Sequence, residues 1–336
     1  ASTPPVAGAL EYHVGRKEPD TLAILQGFVP NQGDAWDYTL DSLHHYFERV
    51  IEIGRDKAAV LPRESLVMMS QKALPPDVHR TIGAYLESVR LLARRTAQMH
   101  IVLASETEDT RFTPEGFSKL YQRSLYQSMR ALTLNVLDQV QKQRRKLPEP
   151  FQAAAERIIG RKQDILDSMR ALTETKISGQ RLRCHGDFHL GQVLYTGKDF
   201  VIIDFEGEPA RPVSERRIKR SPLRDVAGML RSFHYAVYSA LFAEEQRGLF
   251  LEKDRPFAES WANYWSLWVG AVYLHHYLNE SATADFLPGT PQEIEALLQA
   301  FLLEKAVYEM GYELNNRPDW LEIPLKGVDQ LLGTQH

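Results

Sequence analysis

Cysteine is almost absent from the sequence, because Cys184 is alone among 336 residues. A disulfide within the chain is therefore excluded, which is typical of a protein from a reducing, cytoplasmic compartment. A large excess of charge of one sign is also missing, since the formal net charge is only −4 at pH 7. This excludes the strongly basic surface that attracts nucleic acids and anionic membranes, and we expect neither as a partner.

Long apolar runs are missing as well. The most apolar stretch, residues 261–278, is interrupted by Asn263, Ser266, His275 and His276, so it predicts a buried amphipathic helix and not a membrane span. The first residues, ASTPPVAG, lack the basic and then apolar segments of a signal peptide. They also do not begin with methionine, so we expect the chain to be a fragment of a longer protein.

Repeats, low-complexity tracts and Gly/Ser linkers are not found either, and hydrophobic periodicity defines the elements that are present. Period-2 runs predict strands at 9–14 and 21–29, joined by a hairpin loop at 15–20, and further strands at 181–184, 192–195 and 200–203. Period-3.6 runs predict helices at 34–53 (capped by Asp34), 75–104, 113–140, 148–174, 223–243, 256–278 and 291–311. The sequence thus predicts an α+β fold that is predominantly α-helical, with a small central β-hairpin.

The segment RLRCHGDFHLGQVLYTGKDFVIIDFEGEP, residues 181–209, carries the chemistry. Asp187 follows an apolar strand, and Gln192 lies five residues later at the start of the next strand. Protein kinases place a catalytic Asp and a Mg²⁺-binding Asn at this spacing. This pattern predicts that Asp187 accepts the proton of an attacking hydroxyl.

A second carboxylate follows in the same hairpin. Asp204 ends the β-branched strand 201–203 and is followed by Phe205, as in the kinase motif whose Asp holds Mg²⁺. Magnesium prefers hard oxygen ligands, which the Asp204 carboxylate and the Gln192 amide would supply. A hairpin turn at Gly197 would fix their separation, and positioning is most of what phosphoryl transfer requires.

A metal hydrolase is the rival interpretation of this segment. The alternating His185, Asp187 and His189 could bind Zn²⁺. That interpretation leaves Gln192 and the Asp204 strand unexplained. We therefore favour the kinase-like interpretation, in which His185 is a scaffold residue that hydrogen-bonds the loop backbone.

These motifs resemble those of maltokinases, which phosphorylate maltose at its anomeric hydroxyl, in particular the form fused to a trehalose synthase. The resemblance rests on HGDFHLGQVL and IDFEGEP, and it extends over nearly the whole chain through FVPNQGDAWDY, RRTAQMH, YQRSLYQSMR, SPLRDVAGMLRSFHYA and EKAVYEMGYELNNRPDW. It implies a protein-kinase-like C-lobe of the aminoglycoside phosphotransferase type, with ATP and Mg²⁺ as cofactors and a cytoplasmic location. It also implies that Glu206 lies close to the Mg²⁺ ligands, and that Gln26 and Phe28 meet adenine at an interlobe hinge.

The C-terminal region, 291–320, is where the resemblance places the sugar. Lys305, Tyr308 and Tyr312 share one face of a helix, and Glu313 adjoins them. From the pattern alone, an ordinary amphipathic helix with core tyrosines is favoured, whereas the resemblance favours a maltose site. Two further candidates are Arg317, in the same region, and His100, for which a core histidine with satisfied hydrogen bonds is the alternative.

Other conspicuous residues are expected to be structural. Trp261, Trp265 and Trp268 recur at helical spacing and predict helix packing, and Asp225 is expected to cap its helix. Arg94 and Arg95 are expected on the surface or in a structural role. The basic run at 216–220 predicts a solvated loop.

A complete kinase also needs a phosphate-binding loop and a strand lysine, and neither is found before the hinge. We therefore predict that residues 1–30 are a remnant of an N-lobe that is largely absent, with its hairpin and hinge. Residues 31–336 are then the helical C-lobe, with a catalytic loop at 184–209. Expected partners are maltose, the N-terminal lobe and a trehalose synthase domain, and the isolated chain is expected to transfer phosphate poorly. The alternatives are a related aminoglycoside- or choline-type kinase and a non-catalytic sugar-binding or interaction module.

Overall fold

A computed structural model describes residues 2–15, 19–105, 108–174, 176–209 and 211–333. Part of the predicted hairpin loop, at 16–18, lies outside the described residues. The helices are α1 (Ala35–Ile53), α2 (Leu66–Ser70), α3 (Pro76–Ile82), α4 (Tyr85–Leu103), α5 (Lys119–Gln143), α6 (Glu149–Gly160), α7 (Lys162–Glu174), α8 (Val213–Arg216), α9 (Leu223–Gln246), α10 (Arg255–Glu280), α11 (Pro291–Asn316) and α12 (Glu322–Gly333). The strands are β1 (Val6–Tyr12), β2 (Asp20–Gln26), β3 (Glu115–Gly116), β4 (Gln180–Arg181), β5 (Val193–Tyr195) and β6 (Phe200–Ile202).

Side-chain caps fix where several helices begin. The Asp34 carboxylate accepts a hydrogen bond from the backbone amide of Asp37 at 2.9 Å, so its predicted role as the cap of α1 is confirmed. Ser118 and Thr290 cap α5 and α11 in the same way. Each cap satisfies an amide that has no partner within the helix.

Two helices that were predicted as continuous are broken. The predicted helix at 75–104 divides into α3 and α4 because Gly83 adopts a φ of 74°, a left-handed conformation that ends a helix. The predicted helix at 148–174 divides at Arg161 into α6 and α7. The predicted helix at 113–140 begins only at Lys119, after the Ser118 cap.

Helix α9 forms the centre of the molecule and is buried on nearly all sides. A helix that is buried on all faces needs neighbours on every side, and α9 has α1, α10, α11 and α12 around it. The tryptophans of α10 belong to this packing, since Trp265 is fully buried, Trp261 is almost so and Trp268 packs against the core. The structural interpretation of these three residues is confirmed.

The small central hairpin is confirmed as β5 and β6, which pair antiparallel with Tyr195 opposite Phe200. Gly197 lies in the turn with a φ of 86°. The guanidinium of Arg95, on α4, binds both carboxylate oxygens of Asp199 at 2.8 Å, so it fixes the turn to the helical body. This is the structural role expected for Arg95.

The hairpin of β1 and β2 differs from the rest of the chain in its exposure. The two strands pair antiparallel, with Leu10 opposite Ala23. Leu10, Leu22 and Ile24 are each more than half exposed, although strands of this composition normally cover a core. In the described residues, no helix reaches the length and apolarity needed to cross a membrane.

The basic run at 216–220 is not the solvated loop that was predicted. Arg216 donates to the carbonyl oxygens of Arg211 and Pro209 at 2.8 and 3.0 Å. The ammonium group of Lys219 bonds the carbonyl of Thr110 and the carboxylate of Glu115 at 2.9 and 2.7 Å. These arginine and lysine side chains therefore tie the segment to the body of the protein.

Candidate active site

The loop that carries Asp187 is fixed by hydrogen bonds to a buried carboxylate on α9. Asp225 accepts hydrogen bonds from the backbone amides of His185 and Gly186 at 2.8 and 3.0 Å. Burial opposes its negative charge, but bonds from His100 and these amides and the nearby His185 nevertheless lower the pKa of Asp225. The prediction that Asp225 caps its helix was wrong, because its side chain faces the loop.

His100 is a core histidine and not a sugar ligand. It is fully buried, its Nε2 donates to Asp225 at 3.1 Å, and its Nδ1 lies 2.9 Å from the Tyr277 hydroxyl. Both ring nitrogens are thus engaged within the protein. His100, in the last turn of α4, therefore faces Asp225 and Tyr277, so the assignment of His100 to the substrate was wrong and the structural alternative holds.

His185 has the scaffold role that was predicted for it. Its Nε2–H donates to the carbonyl oxygen of Ile203 at 2.8 Å, which joins the loop to the strand that leads to Asp204. His189 is engaged separately, since its Nδ1 accepts from the amide of Gly191 at 3.1 Å. Among the described residues, the ligand atoms of His185, Asp187 and His189 do not converge as a metal-binding group, so the geometry gives no support to the zinc alternative.

The single cysteine adjoins this loop. The Cys184 thiol lies 3.5 Å from the carbonyl oxygen of Leu182 and 3.4 Å from that of Arg220. Although the residue is partly exposed as a whole, burial of the thiol raises the pKa of Cys184 well above its usual range, and the charge of Asp225 adds to this effect.

Asp187 lies at the edge of a cavity with a cation beside it. Its carboxylate is 3.5 Å from the ammonium group of Lys305 and 3.8 Å from Nε2 of His189. Burial, reinforced by Lys305, lowers the pKa of His189 although Asp187 opposes the shift. A neutral imidazole beside Asp187 leaves the carboxylate available to accept a proton.

Asp204 is held in an unusual backbone conformation. Its φ is 63°, and it is the one residue other than glycine with a positive φ among those that the structure describes. Such a conformation is strained for a residue with a side chain and is frequent at functional sites. Nε2 of Gln192 donates to the Asp204 carboxylate at 2.9 Å, so the two predicted metal ligands converge. The Asp204 carboxylate is an oxygen donor of the kind that Mg²⁺ prefers, and the Gln192 amide would contribute its oxygen if the side chain turned its Oε1 toward the ion.

A cavity of about 530 Å³ opens beside Asp187, a size within the range of about 300–1,000 Å³ typical of small-ligand sites. The predicted sugar residues on α11 and just beyond it come together in its wall: Lys305, Tyr308, Tyr312, Glu313 and Arg317. Further lining residues were not predicted: Trp36, His189, Glu208, Pro209, Gly228, Ser232, Tyr235, Glu309 and Trp320.

Each carboxylate of the cavity wall has a cation as partner. Glu313 binds the guanidinium of Arg317 at 2.7 Å, and Glu309 binds that of Arg231 at 2.7 Å. Glu208 shares Lys305 with Asp187, at 3.7 Å. These four carboxylates thus face three cations, so Asp187 and Glu208 together carry one negative charge more than Lys305 neutralises. Burial raises the pKa of Glu313 against the effect of Arg317.

Aromatic rings line the rest of the cavity. Tyr308 lies under the ammonium group of Lys305 at 5.2 Å, and the guanidinium of Arg317 stacks over Trp320 at 4.8 Å. Burial and the neighbouring Glu208 carboxylate raise the pKa of Tyr308, so its hydroxyl remains a hydrogen-bond donor at neutral pH. Rings with polar groups at their edges can contact the C–H face of a sugar and its hydroxyls together.

Three predicted residues lie apart from the cavity. Gln26 ends β2, the Phe28 side chain is 87% exposed, and neither lines the cavity wall. The Glu206 carboxylate is largely exposed and lies 3.9 Å from Arg216. Their roles toward adenine and the metal stay predictions.

Weak sequence signals accompany the lining residues that were missed. Glu208 lies in the same EGEP segment as Glu206, two residues further on. Trp36 stands two residues after the Asp34 cap, so the orientation of its side chain is set by the first turn of α1. Tyr235 follows Arg231 by four residues on α9, but the apolar pattern of that helix conceals which side chains face the cavity.

Comparison with known proteins gives three kinds of similarity. A model of the phosphotransferase enzyme family (APH) matches residues 59–207. A glucosamine kinase of Mycolicibacterium smegmatis is 30% identical over 151 residues, which are 44% of this chain and 34% of that protein. A glucosamine kinase of Streptacidiphilus jiangxiensis is 24% identical over 222 residues, 65% of this chain and 39% of that protein. The matches thus span less than half the length of these curated relatives.

Solved structures show the fold. A glucosamine kinase in complex with glucosamine, ADP and inorganic phosphate superposes with a TM-score of 0.72 at 20% identity, covering 99% of this chain and 68% of that one. A second crystal form of a glucosamine kinase gives a TM-score of 0.69 at 21% identity, with 99% and 66% covered. The chain has the helix-rich, protein-kinase-like fold of aminoglycoside phosphotransferases, as the sequence predicted.

Proposed function

We propose that this chain is the sugar-binding and catalytic lobe of an ATP-dependent sugar kinase, and that its acceptor is maltose, which it converts to maltose 1-phosphate. The observation that carries the proposal is the position of Asp187. This carboxylate lies at the edge of an aromatic cavity, and its loop is joined through His185 to the strand that ends in Asp204. A sugar hydroxyl and a nucleotide phosphate would meet at such a junction.

The reaction requires one proton acceptor and good positioning. Asp187 would accept the proton of the anomeric hydroxyl as its oxygen bonds to the γ-phosphorus, and the bond from that phosphorus to the β–γ bridging oxygen would break to release ADP. Asp204 and Gln192 would hold Mg²⁺, which neutralises charge on the phosphates when bound. Lys305 would orient Asp187 and the sugar together.

The choice of maltose rests on two supports. The first is the resemblance of HGDFHLGQVL and IDFEGEP to maltokinase motifs. The second is the pairing of Glu309 and Glu313 with the guanidinium groups of Arg231 and Arg317, which neutralises the charge of these two carboxylates. An uncharged sugar requires no free carboxylate, whereas a protonated amino sugar does.

Glucosamine is the second candidate, because both curated relatives are glucosamine kinases. Lys305 is shared between Asp187 and Glu208, so a substrate that displaced this lysine would leave a carboxylate for an ammonium group. Under either substrate, residues 1–30 would be the end of the nucleotide-binding lobe, with Gln26 and Phe28 at the hinge. An N-terminal lobe and a trehalose synthase domain remain proposed partners.

Calorimetric titration of the chain with maltose and, separately, with glucosamine tests the proposal. We expect saturable heat from maltose, lost in Lys305→Met and Tyr312→Ala, because both side chains line the cavity. Tyr12→Ala, an exposed tyrosine of β1, is the matched control and should bind maltose normally. Binding of glucosamine without maltose would replace the acceptor, and binding of neither sugar would contradict a sugar site in this cavity.

A further inference from the structure

A cluster of three side chains on α1 brings nitrogen and oxygen atoms together outside the cavity. The ligand atoms of His44, His45 and Glu48 all lie within 4.8 Å of one another. Nε2 of His44 is 3.6 Å from one carboxylate oxygen of Glu48, and Nδ1 of His45 is 3.2 Å from the other. The spacing of one, three and four residues places all three on adjoining faces of the helix.

A buried carboxylate on another helix orients the first of these histidines. Oε1 of Glu244, on α9, lies 2.8 Å from Nδ1 of His44, and Glu244 is only 2% exposed. Because a carboxylate only accepts, Nδ1 carries the proton. In the neutral ring, Nε2 then presents its lone pair toward Glu48. A carboxylate behind a histidine is the arrangement that fixes the tautomer of metal-binding histidines in proteins.

Nε2 of His44 and the Glu48 carboxylate oxygen face each other across 3.6 Å, a separation that two ligands of one metal ion can have. The side chains of His45 and Glu48 are 68% and 52% exposed, so an ion can reach the cluster from solvent without rearrangement of the core.

We propose that His44, His45 and Glu48 bind a Zn²⁺ ion, with a water molecule as the fourth ligand. Two imidazole nitrogens and one carboxylate oxygen form a donor set that suits zinc in four-coordinate geometry. The ion would connect α1 to α9 through His44 and Glu244. Trp36 lines the cavity and precedes His44 by eight residues on α1, so an ion that fixed this helix would also stabilise one wall of the cavity.

Zinc binding to the full chain, freed of metal with a chelator and dialysed, tests the proposal by calorimetry with ZnCl₂. We expect one zinc per chain and a zinc-dependent rise in the melting temperature. His44→Gln and Glu48→Gln should each weaken binding by at least about tenfold, since each removes one of three ligands. The matched control is His79→Gln, an exposed histidine of α3 outside the cluster, which should bind zinc as the wild type does.

The role of Glu244 has its own test. Glu244→Gln keeps the size of the side chain but removes the charge behind His44, so zinc affinity should fall by about 10- to 100-fold. The melting temperature without zinc shows whether each variant is folded. Undiminished affinity in Glu48→Gln would overturn the proposal, because zinc would then lie elsewhere, for example at His275 and His276, whose rings are 4.9 Å apart. Binding that fails to saturate in the wild type would overturn it as well.

Discussion

At the scale of single residues, the functional proposal depends on Asp187. Replacement by asparagine keeps the shape of the side chain but removes its capacity to accept a proton. In a form of the protein that turns over ATP, Asp187→Asn should lower kcat by a factor on the order of 10² to 10⁴, the usual contribution of a positioned general base. Sugar affinity measured by calorimetry should change little. The exposed Asp285→Asn is the control, and normal turnover by Asp187→Asn would remove the residue from this role.

Asp225 should matter although it touches no substrate. The His185 and Gly186 amides donate to different oxygens of Asp225, and in Asp225→Asn one of these oxygens becomes an amide nitrogen, which cannot accept, so one of the two bonds is lost. Leaving buried donors without an acceptor costs about 1–3 kcal/mol. Urea unfolding should show a loss of stability of this size, and turnover should fall because the loop of Asp187 is released. A variant with wild-type stability and turnover would show that the bonds from Asp225 to the His185 and Gly186 amides are not required.

Sequence reasoning succeeded and failed at this scale for a physical reason. That Asp187, Gln192 and Asp204 lie near one another could be predicted because they fall within 18 residues, in a spacing that local strands and turns enforce, whereas their roles stay predictions. The role of Asp225 as an acceptor for the loop amides could not be predicted, since a carboxylate in the first turn of a helix usually stabilises the N-terminus of that helix. His100 was misassigned because its partners Tyr277 and Asp225 are over 100 residues away in the chain, so no local pattern indicates them.

At the scale of elements, the contact between α9 and the catalytic loop requires a residue without a side chain. A Cβ atom at Gly228 would lie 2.6 Å from the carbonyl oxygen of Phe188, which is closer than real Cβ atoms approach. Gly228→Ala should therefore push the helix and the loop apart and cost about 1–3 kcal/mol. Thermal unfolding and sugar titration measure the two effects.

A second glycine provides the matched control. A Cβ at Gly160, at the end of α6, would meet nothing within 4 Å. Gly160→Ala should be neutral or should stabilise the chain by up to about 1 kcal/mol, because alanine loses less backbone entropy on folding. Equal destabilisation by the two substitutions would contradict the close approach at Gly228.

The elements themselves were predictable in type and less so in extent. Helices α1, α9, α10 and α11 follow from hydrophobic periodicity, supported in α1 and α11 by side-chain caps, because periodic patterns of this length have few other solutions. The break at Gly83 was missed, since a single glycine within a helical pattern is often tolerated and only its backbone conformation decides. The two-residue strands β3 and β4 pair across 63 residues or more, and β3 has no local pattern that indicates a strand.

At the scale of the whole molecule, three histidines should make stability depend on pH. Burial is the main cause that lowers the pKa of His189, His234 and His276 below the usual value. Near pH 6 the unfolded chain therefore binds more protons at these positions than the folded chain does. The free energy of unfolding should rise with pH until about 6.5, the ordinary histidine pKa, and should fall as the pH drops below it.

Urea unfolding at several values between about pH 5 and about pH 7.5 measures this slope. His234→Gln should flatten it, because His234 is the histidine whose pKa lies furthest below its usual range. The exposed His79→Gln should leave the slope unchanged. A stability that decreases from pH 5 to pH 7 would contradict the burial of these neutral rings.

The single thiol, Cys184, lies beside the loop of Asp187, and its chemical modification can report on local opening of that region. With its raised pKa, Cys184 carries almost no thiolate at neutral pH, and thiolate is the form that alkylating reagents attack. Iodoacetamide should thus modify Cys184 only during local opening in which Leu182 and Arg220 move apart and expose the thiol. The labelling rate would then measure how often this opening occurs. A sugar that tightens this region would protect the thiol, so ligand binding could be followed by mass spectrometry without an added probe.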